Sequence, residues 1–218
     1  MTRPLPIVFV IDDDPSVRKA LDRLLKSVGF SVKLFASAHE FLKDNPVVDG
    51  PACVVLDVRL PGISGLELQR TLAERNGGLP IVFITGNGDI PMSVQAMKAG
   101  AVDFLPKPFH VQDLLAAVKQ AIARHAQGLQ SRAELAEIHK RAQSLSARER
   151  EVMALVVSGM LNKKAGQQLG VTEKTIKVHR AHVMRKMQAG SLAELVRMAE
   201  RVANSSRSAQ VSRSAQVS

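Results

Sequence analysis

Apolar runs and helical patterns alternate along the first 122 residues of the chain. The runs are four to six residues long, rich in Val and Ile, and without a consistent polar face, which is typical of buried strands. Between them, apolar residues recur at helical spacing. Five such β-α units predict an α/β fold with a doubly wound, five-stranded parallel sheet. The predicted strands are Ile7–Ile11, Ser31–Phe35, Cys53–Leu56, Pro80–Thr85 and Ala101–Leu105.

Capping residues mark the starts of the intervening helices. Asp14 followed by Pro15 is typical of a helix N-terminus, because the carboxylate accepts from backbone N–H groups and proline suits the first turn. Capping boxes at Ser37–Glu40 and Ser64–Glu67 predict two further helix starts. Asp89 is predicted to cap the fourth helix.

The second half of the chain has a helical pattern throughout. Few helix breakers occur between residues 111 and 141, so a helical linker is expected over residues 123–143, either solvated or part of a coiled-coil seam. A capping box at Ser146–Glu149 begins the next helix. A short helix over Asn162–Leu169, a turn at Gly170 and a longer helix over Glu173–Met187, capped by Thr172, predict a helix-turn-helix.

The net charge of +10 lies entirely in this second half. Residues 1–121 carry 13 Lys and Arg against 13 Asp and Glu, whereas residues 122–218 carry 17 against 7. The asymmetry indicates a neutral module joined to one that binds a polyanion, either nucleic acid or an acidic membrane surface. The absence of Trp and Tyr weighs against single-strand binding by base stacking.

Cysteine usage and hydropathy indicate a cytoplasmic protein. Cys53 is the one cysteine, so no disulfide can form within the chain, which fits a reducing compartment. The N-terminal apolar run is too short for the core of a signal peptide, and no segment approaches the length of a membrane span. A membrane is therefore not an expected partner.

Polar residues follow four of the five predicted strands. Asp12 and Asp13 follow the first, Asp57 the third, Thr85 the fourth and Lys107 the fifth. Each alone has an ordinary structural explanation, such as a solvated turn or a helix cap. Because the carboxyl ends of parallel strands share one edge of the sheet, the set is expected to come together there. Clustered carboxylates suit Mg²⁺, and an aspartate neutralised by a cation can form an aspartyl phosphate.

Residues 5–122 resemble the receiver domain of two-component response regulators, on the motifs VIDDD, VLDVRLPGISG, VFITG and FLPKPF. The resemblance implies that Asp57 is the phosphoacceptor, served by a sensor histidine kinase. It implies a Mg²⁺ (or Mn²⁺) ion held by Asp12, Asp13, Asp57 and the backbone carbonyl of Arg59. Lys107 and Thr85 would contact the phosphoryl oxygens, and Phe104 occupies the aromatic switch position.

Residues 144–203 resemble the LuxR-type DNA-binding domain of FixJ/NarL-like regulators, on the motifs LSAREREVM, NKKAGQQLGVTEKTIKVHRAHVMRKM and SLAELVRMAERV. The resemblance implies that Glu173–Met187 is the recognition helix for double-stranded promoter DNA. It also implies a homodimer when phosphorylated, and it allows contact with RNA polymerase. The implied DNA-contacting residues are Lys174, Thr175, Lys177, Val178, Ala181, His182 and Arg185. The implied dimer residues are Leu192, Leu195, Val196 and Ala199, some of which could instead pack into the domain's own core.

One feature of the second half departs from the family pattern. Ala165-Gly166 stands where the family usually has Ile-Ala. The scaffold helix is therefore expected to be less stable, by about 1–3 kcal/mol. Residues 207–212, RSAQVS, recur as residues 213–218. This polar repeat is too short for a repeat architecture, and residues 204–218 are expected to form a disordered tail.

Three interpretations remain open from the sequence. The first is a transcription regulator controlled by phosphorylation and not an enzyme, with activation as the commoner family role. The second is a phosphohydrolase that turns over at Asp57, although the sequence offers no dedicated base to activate water. The third is a DNA-binding adaptor that ignores phosphorylation.

Overall fold

The computed structural model describes residues 5–74, 78–86 and 90–214, with side chains described as far as residue 205. The chain divides into two compact units, Met1–Gln130 and Ser131–Ser218. Within the described residues, no helix combines the length and the apolar character needed to cross a lipid bilayer.

The first unit contains the predicted parallel sheet. Its five strands lie in the order β2-β1-β3-β4-β5, and every neighbouring pair is parallel. This confirms the predicted doubly wound α/β fold. The elements in chain order are β1 Ile7–Ile11, α1 Pro15–Ser27, β2 Ser31–Phe35, α2 Ala38–Asp44, β3 Ala52–Asp57, α3 Gly65–Glu74, β4 Ile81–Thr85, α4 Ile90–Lys98, β5 Asp103–Pro106 and α5 Val111–Gln143.

Both faces of the sheet are buried, because successive side chains of each central strand enter opposite cores. In β3, Val54 and Leu56 belong to one apolar cluster, whereas Cys53 and Val55 belong to the other. All six residues of β3 are buried, including Asp57 at its end. The sheet therefore holds the end of β3 between two packed layers.

Local capping mostly follows the sequence. Asp14 accepts from the backbone N–H groups of Ser16 and Val17, and Ser64 and Glu67 cap each other reciprocally. At α2, Ser37 caps Glu40 as expected, but the Glu40 carboxylate accepts from the N–H of Ala36. The predicted cap at Asp89 lies outside the described residues.

Helix α5 is long and is attached to the sheet by a buried histidine. It runs from Val111 to Gln143 and so includes the residues of the predicted linker. His125, 6% exposed, accepts at Nδ1 from the N–H of Ala52 at 2.9 Å. Ala52 opens β3 before β4 begins alongside it, so His125 supplies an acceptor that the sheet does not.

The second unit is helical and builds one core. The last turns of α5 belong to this core, because Ile138 is 6% exposed and packs in the same apolar cluster as Val152, Ile176 and Leu195. Glu134 pairs with Arg201 at 3.3 Å, farther along the chain. The remaining helices are α6 Ala147–Val157, α7 Asn162–Leu169, α8 Glu173–Met187 and α9 Leu192–Ser214.

Two expectations about this unit differ from the structure. Helix α9 continues to Ser214, through most of the tail expected to be disordered from residue 204, and its sequence contains no Gly or Pro to end it. Gly166 was expected only to weaken α7, but it also allows a close packing contact. A Cβ there would lie 2.7 Å from the backbone oxygen of Val171, so glycine permits a close approach of the turn to α7.

Candidate functional site

Three carboxylates meet at the carboxyl edge of the sheet, as the strand ends predict. Asp12 and Asp13 follow β1, and Asp57 ends the adjacent strand β3. One oxygen from each lies within 4.8 Å of the others. Asp12 is fully buried and Asp57 is 7% exposed, whereas Asp13 faces solvent. The cluster thus combines two buried acids with one exposed acid.

Lys107 bridges the two buried acids. Its Nζ donates to Asp12 Oδ2 at 2.6 Å and to Asp57 Oδ2 at 2.7 Å. Its backbone N–H donates to the carbonyl of Thr85 at 2.6 Å, which fixes the segment after β5 against the end of β4. The Lys107–Pro108 peptide bond is cis. The predicted lysine is therefore held directly over the predicted phosphoacceptor.

Burial and ion pairing oppose each other at this site. Burial raises the pKa of Asp12 above its ordinary value, and the hydrogen bonds from Lys107 and Asp14 offset only part of that effect. For Lys107, burial alone would lower the pKa, but the bonds to Asp12 and Asp57 outweigh it and leave the pKa raised. The lysine ammonium is consequently a firmly held positive charge.

Backbone groups fix the orientation of both buried acids. Asp12 Oδ1 accepts from the N–H of Asp14, and Asp57 Oδ1 accepts from the N–H of Arg59, each at 2.9 Å. In both acids the second oxygen accepts from Lys107, and Oδ2 of Asp57 points toward the cluster. The remaining lone pairs of the cluster are available to a cation or to an incoming phosphoryl group.

Two residues that were not predicted from the sequence support the site. Arg18 Nη1 donates to the carbonyl of Asp12 at 2.6 Å, from the first turn of α1. At the start of α3, a Cβ on Gly65 would overlap the carbonyl oxygen of Asp57 and lie 3.1 Å from the ring of Phe83. Glycine in the motif GISG signalled this close approach, whereas Arg18 has no distinctive sequence pattern.

Thr85 ends β4, and Phe104 is the second residue of the neighbouring strand β5. Thr85 is fully buried. The residue pair before it in this ladder, Ile84 and Leu105, packs in the core on the other face of the sheet. Phe104 is partly buried and lies opposite Phe83, with ring centroids 6.1 Å apart. The structure thus places a buried hydroxyl-bearing residue at the end of β4 and a half-buried aromatic ring on the adjacent strand.

The donor set fits a hard divalent cation. Three carboxylate oxygens within 4.8 Å of one another match the all-oxygen coordination that Mg²⁺ prefers, in which water completes the shell. Arg59 is exposed and adjoins the cluster, which suits the expected contribution of its carbonyl. The residues Asp12, Asp13 and Asp57 could therefore hold the ion.

Helix α8 presents its predicted DNA-contacting side chains to solvent. Ile176, Val183 and Met187 bury one face of the helix in the core. On the other faces Val178 is 49% exposed, although it is apolar, and the His182 side chain is 45% exposed. The remaining predicted contacts are exposed, except the half-buried Thr175: Lys174, Lys177, Ala181 and Arg185.

The predicted dimer stripe on α9 needs one correction. Leu195 is fully buried in the core of its own domain, so its side chain cannot reach a second subunit. Leu192 is 36% exposed, and Val196 and Ala199 are half-buried. The pattern of α9 therefore serves two faces, and three of the four residues remain candidates for a dimer contact.

The prediction from α8 alone also missed basic residues on the preceding helix. Lys163 and Lys164 are exposed in the first turn of α7, and Arg180 of α8 donates to Asn162 there at 3.4 Å. In a helix-turn-helix, the first helix crosses the DNA backbone while the second enters the major groove. The paired lysines of the NKK motif were the available signal.

Comparison with known proteins agrees with both halves of the chain. Residues 8–119 match the response regulator receiver domain, and residues 143–199 match the luxR family of bacterial regulatory proteins. Nodulation protein W of Bradyrhizobium diazoefficiens is 50% identical over 193 residues, which cover 88% of this chain and 85% of that protein. The transcriptional regulatory protein FixJ of Azorhizobium caulinodans is 48% identical over 200 residues, covering 91% and 93%.

Solved structures give the same result. The response regulator StyR, 46% identical, matches with a TM-score of 0.80 over 91% of this chain and 100% of that one. Full-length FixJ from B. japonicum, 45% identical, matches with a TM-score of 0.55 over 93% and 98%. On this evidence, and on the acidic edge and helix-turn-helix described above, the chain belongs to the FixJ/NarL-type response regulators, the transcriptional regulators of two-component systems.

Proposed function

We propose that Asp57 receives a phosphoryl group from a sensor histidine kinase and that its occupancy controls promoter binding by α8. The observation that carries the proposal is the placement of Lys107, whose ammonium lies 2.7 Å from Asp57 and 2.6 Å from Asp12. This arrangement keeps a cation at the position where three phosphoryl oxygens would arrive. It favours a phosphorylation-controlled regulator over a receiver that only packs.

The chemistry is a direct phosphoryl transfer. An Asp57 carboxylate oxygen attacks the phosphorus of a phosphohistidine, a P–O bond forms and the P–N bond breaks, and the histidine nitrogen leaves with the bonding pair. The Asp57 side chain becomes an acyl phosphate. Lys107 stabilises the negative charge on the phosphoryl oxygens, and the Thr85 hydroxyl donates to one of them.

Asp12, Asp13, Asp57 and the carbonyl of Arg59 would hold Mg²⁺ or Mn²⁺ at this edge. When bound, the ion neutralises the carboxylates and the transferred phosphoryl oxygens. The ion would favour the ionised form of Asp12 in particular, because burial raises the pKa of this carboxylate. Asp13, exposed beside it, offers the cation an entry from solvent.

A groove beside Lys107 suits the docking of the kinase. It has a volume of about 420 Å³ and lies between α1 and the segment that follows β5. Its walls are mostly apolar, so a helical partner could bury an apolar stripe there while its phosphohistidine faces Asp57. The lining residues are Val17, Ala20, Leu21, Leu24, Lys107, Pro108, Phe109 and Val111.

The switch proceeds through Thr85 and Phe104. Movement of the Thr85 hydroxyl toward the phosphoryl group leaves space that the half-buried Phe104 ring can occupy, which alters the surface around α4 and β5. The phosphoryl group shifts this equilibrium only as far as it interacts better with one conformation than the other. The altered surface promotes a homodimer, to which Leu192, Val196 and Ala199 of α9 contribute.

In the dimer, two copies of α8 read promoter DNA. Lys177, Val178 and Ala181 contact base edges, with Lys174, Thr175, His182 and Arg185 nearby, and the lysines of α7 contact phosphates. Activation of transcription, with contact to RNA polymerase, is the output that we propose. Localisation in the cytoplasm follows from these partners.

The proposal is tested with acetyl phosphate and Mg²⁺ on the full chain. Asp57→Asn should abolish acid-labile phosphate incorporation and the accompanying gain in dimer mass and DNA affinity. Asp49→Asn is the matched control, since Asp49 lies in the loop before β3, at the opposite end of that strand. Incorporation into the Asp57→Asn variant would overturn the assignment of Asp57. DNA affinity that ignores phosphorylation would favour the adaptor, and sustained phosphate release would favour the phosphohydrolase.

A further inference from the structure

A buried glutamate ties the start of α6 to the C-terminal half of α8. Glu149 is 5% exposed, although it is charged and lies in the first turn of a helix. Its Oε2 accepts from the backbone N–H of Ser146 and from Lys186 Nζ of α8, each at 2.7 Å. One carboxylate thus completes a capping box and holds the recognition helix.

Further contacts hold the same turns of α8. Lys186 Nζ also lies 3.3 Å from the carbonyl of Ser144, and Arg141 Nη1, near the end of α5, donates to the carbonyl of Met187 at 3.4 Å. His182 Nδ1 lies 3.8 Å from Glu149 Oε1. The end of the linker helix and the start of α6 therefore grip α8 from one side.

The geometry of α8 makes this grip relevant to DNA reading. His182 and Lys186 are one helical turn apart on one face of α8, and Val178 lies one further turn toward the N-terminus on that face. The residues proposed to contact base edges are Lys177, Val178 and Ala181. Rotation of α8 about its axis would move all three of these side chains together. The hydrogen bonds from Lys186 and from the backbone of Ser146 lower the pKa of Glu149 to about 2, which is consistent with a carboxylate that is held in its ionised form by these contacts.

We infer that Glu149 is a positioning residue for DNA recognition, setting the rotation of α8 through Lys186 and His182 while it touches no DNA itself. The inference rests on the proposed role of α8 as the recognition helix. It also gives Lys186 a different task from the other basic residues of α8. Its ammonium is engaged by Glu149 and Ser144, so it orients the helix and does not serve primarily as a phosphate contact.

The inference makes a prediction of unusual sign. Loss of a negative charge beside a DNA-binding helix strengthens binding if only the net charge counts, because the polyanion is repelled less. Loss of a positioning contact weakens binding to the chosen sequence, because base contacts depend on the setting of the helix. The two explanations of Glu149 therefore predict opposite changes in affinity for the same variant.

The test uses the full chain treated with acetyl phosphate and Mg²⁺, and two probes. One probe is a duplex of about 20 base pairs, long enough for two half-sites, selected by the wild-type chain from a random library. The other is mixed-sequence genomic DNA. Glu149→Gln removes the charge and the strong acceptor, and Glu151→Gln removes an exposed charge two residues along the same helix.

Glu149→Gln should bind the selected duplex about tenfold more weakly, a loss of about 1.4 kcal/mol. Its affinity for mixed DNA should equal or exceed that of wild type, since no phosphate contact is lost and one negative charge is removed. Glu151→Gln should bind both probes as well as wild type or better. Selected-duplex affinity of Glu149→Gln equal to or above that of Glu151→Gln would overturn the inference.

Two more variants distinguish a failure of the positioning role from a failure of the proposed DNA interface. Glu149→Asp keeps the charge but shortens the reach to Lys186, so it should also lose preference for the selected duplex, and an unchanged preference would count against positioning. Circular dichroism melting shows whether each variant is folded at the binding temperature. Lys177→Ala tests the recognition helix itself, and if this variant binds like wild type, the proposed DNA interface fails independently of Glu149.

Discussion

Replacement of Lys107 by Met should destabilise the receiver domain at neutral pH. Met keeps most of the volume of the side chain but removes the ammonium that donates to Asp12 at 2.6 Å and to Asp57 at 2.7 Å. Asp12 is fully buried, so its carboxylate would lose its principal ionic partner without gaining access to water. The variant therefore isolates what the lysine contributes to folding.

The size of the effect follows from burial and geometry. Removal of one partner from a buried ion pair costs about 3–5 kcal/mol, because the other charge is left uncompensated. The side chain of Lys107 is 21% exposed, so water reaches part of the site and the lower end of this range applies. We expect the free energy of unfolding to fall by about 3 kcal/mol at pH 7.

The loss should depend on pH in a defined direction. The pKa of Asp12 is already raised by burial, and without the hydrogen bond from Lys107 it should rise further. An acid whose folded pKa exceeds its unfolded value opposes folding when it is ionised, and this penalty disappears as the acid is protonated. The deficit of Lys107→Met relative to wild type should therefore shrink as the pH falls from 7 toward 3.8, the ordinary pKa of an aspartate.

The assay is urea unfolding of the full chain, followed through the receiver transition at several pH values. Lys107→Arg should recover part of the stability, and Lys119→Met, at an exposed lysine without an ion pair among the described residues, should match wild type. Millimolar Mg²⁺ should stabilise Lys107→Met more than wild type, because the unpaired carboxylates bind the cation more tightly. A deficit below about 0.5 kcal/mol, or one that does not vary with pH, would refute the reasoning.

Three further predictions concern other parts of the fold. Gly65→Ala should lower stability by about 1–3 kcal/mol and slow phosphorylation, whereas Gly86→Ala, which meets no atom within 4 Å, should melt like wild type. His125→Leu should cost about 1–3 kcal/mol in urea unfolding, because the buried N–H of Ala52 loses its acceptor. Glu149 has a depressed pKa, so its contribution is present above about pH 4.5 and lost as the pH falls toward about 2. In Glu149→Gln, acid melting curves of the second domain should show a smaller loss over that window.

The acidic edge was predictable because the topology of a parallel sheet leaves little choice. Once Asp12, Asp57 and Lys107 are assigned to strand ends, they must share one edge, whatever the lengths of the helices between them. The same reasoning applies to α8, where the buried positions of Ile176 and Val183 leave the basic residues outside. Helical periodicity and the positions of strand ends were therefore sufficient to predict most of the candidate site residues.

Contacts made by single residues across long sequence separations were not predictable. His125 bonds to Ala52, and nothing in a helical pattern distinguishes a buried histidine from an exposed one. Leu195 was assigned to the dimer stripe because one apolar stripe on α9 serves both the core and the surface. From the sequence, Gly166 is predicted only to weaken the helix. The structure shows that it also allows the backbone of Val171 to approach α7 closely.

The last turns of α5 have a practical consequence for isolating the DNA-binding half. Ile138 is buried against α6, α8 and α9 residues, and His139 and Glu134 bond to Ser205 and Arg201. A fragment that begins at residue 143, where the match to the luxR family begins, would lack this cover and leave apolar surface open to aggregation. Recombinant fragments should begin near residue 131, at the division between the two compact units.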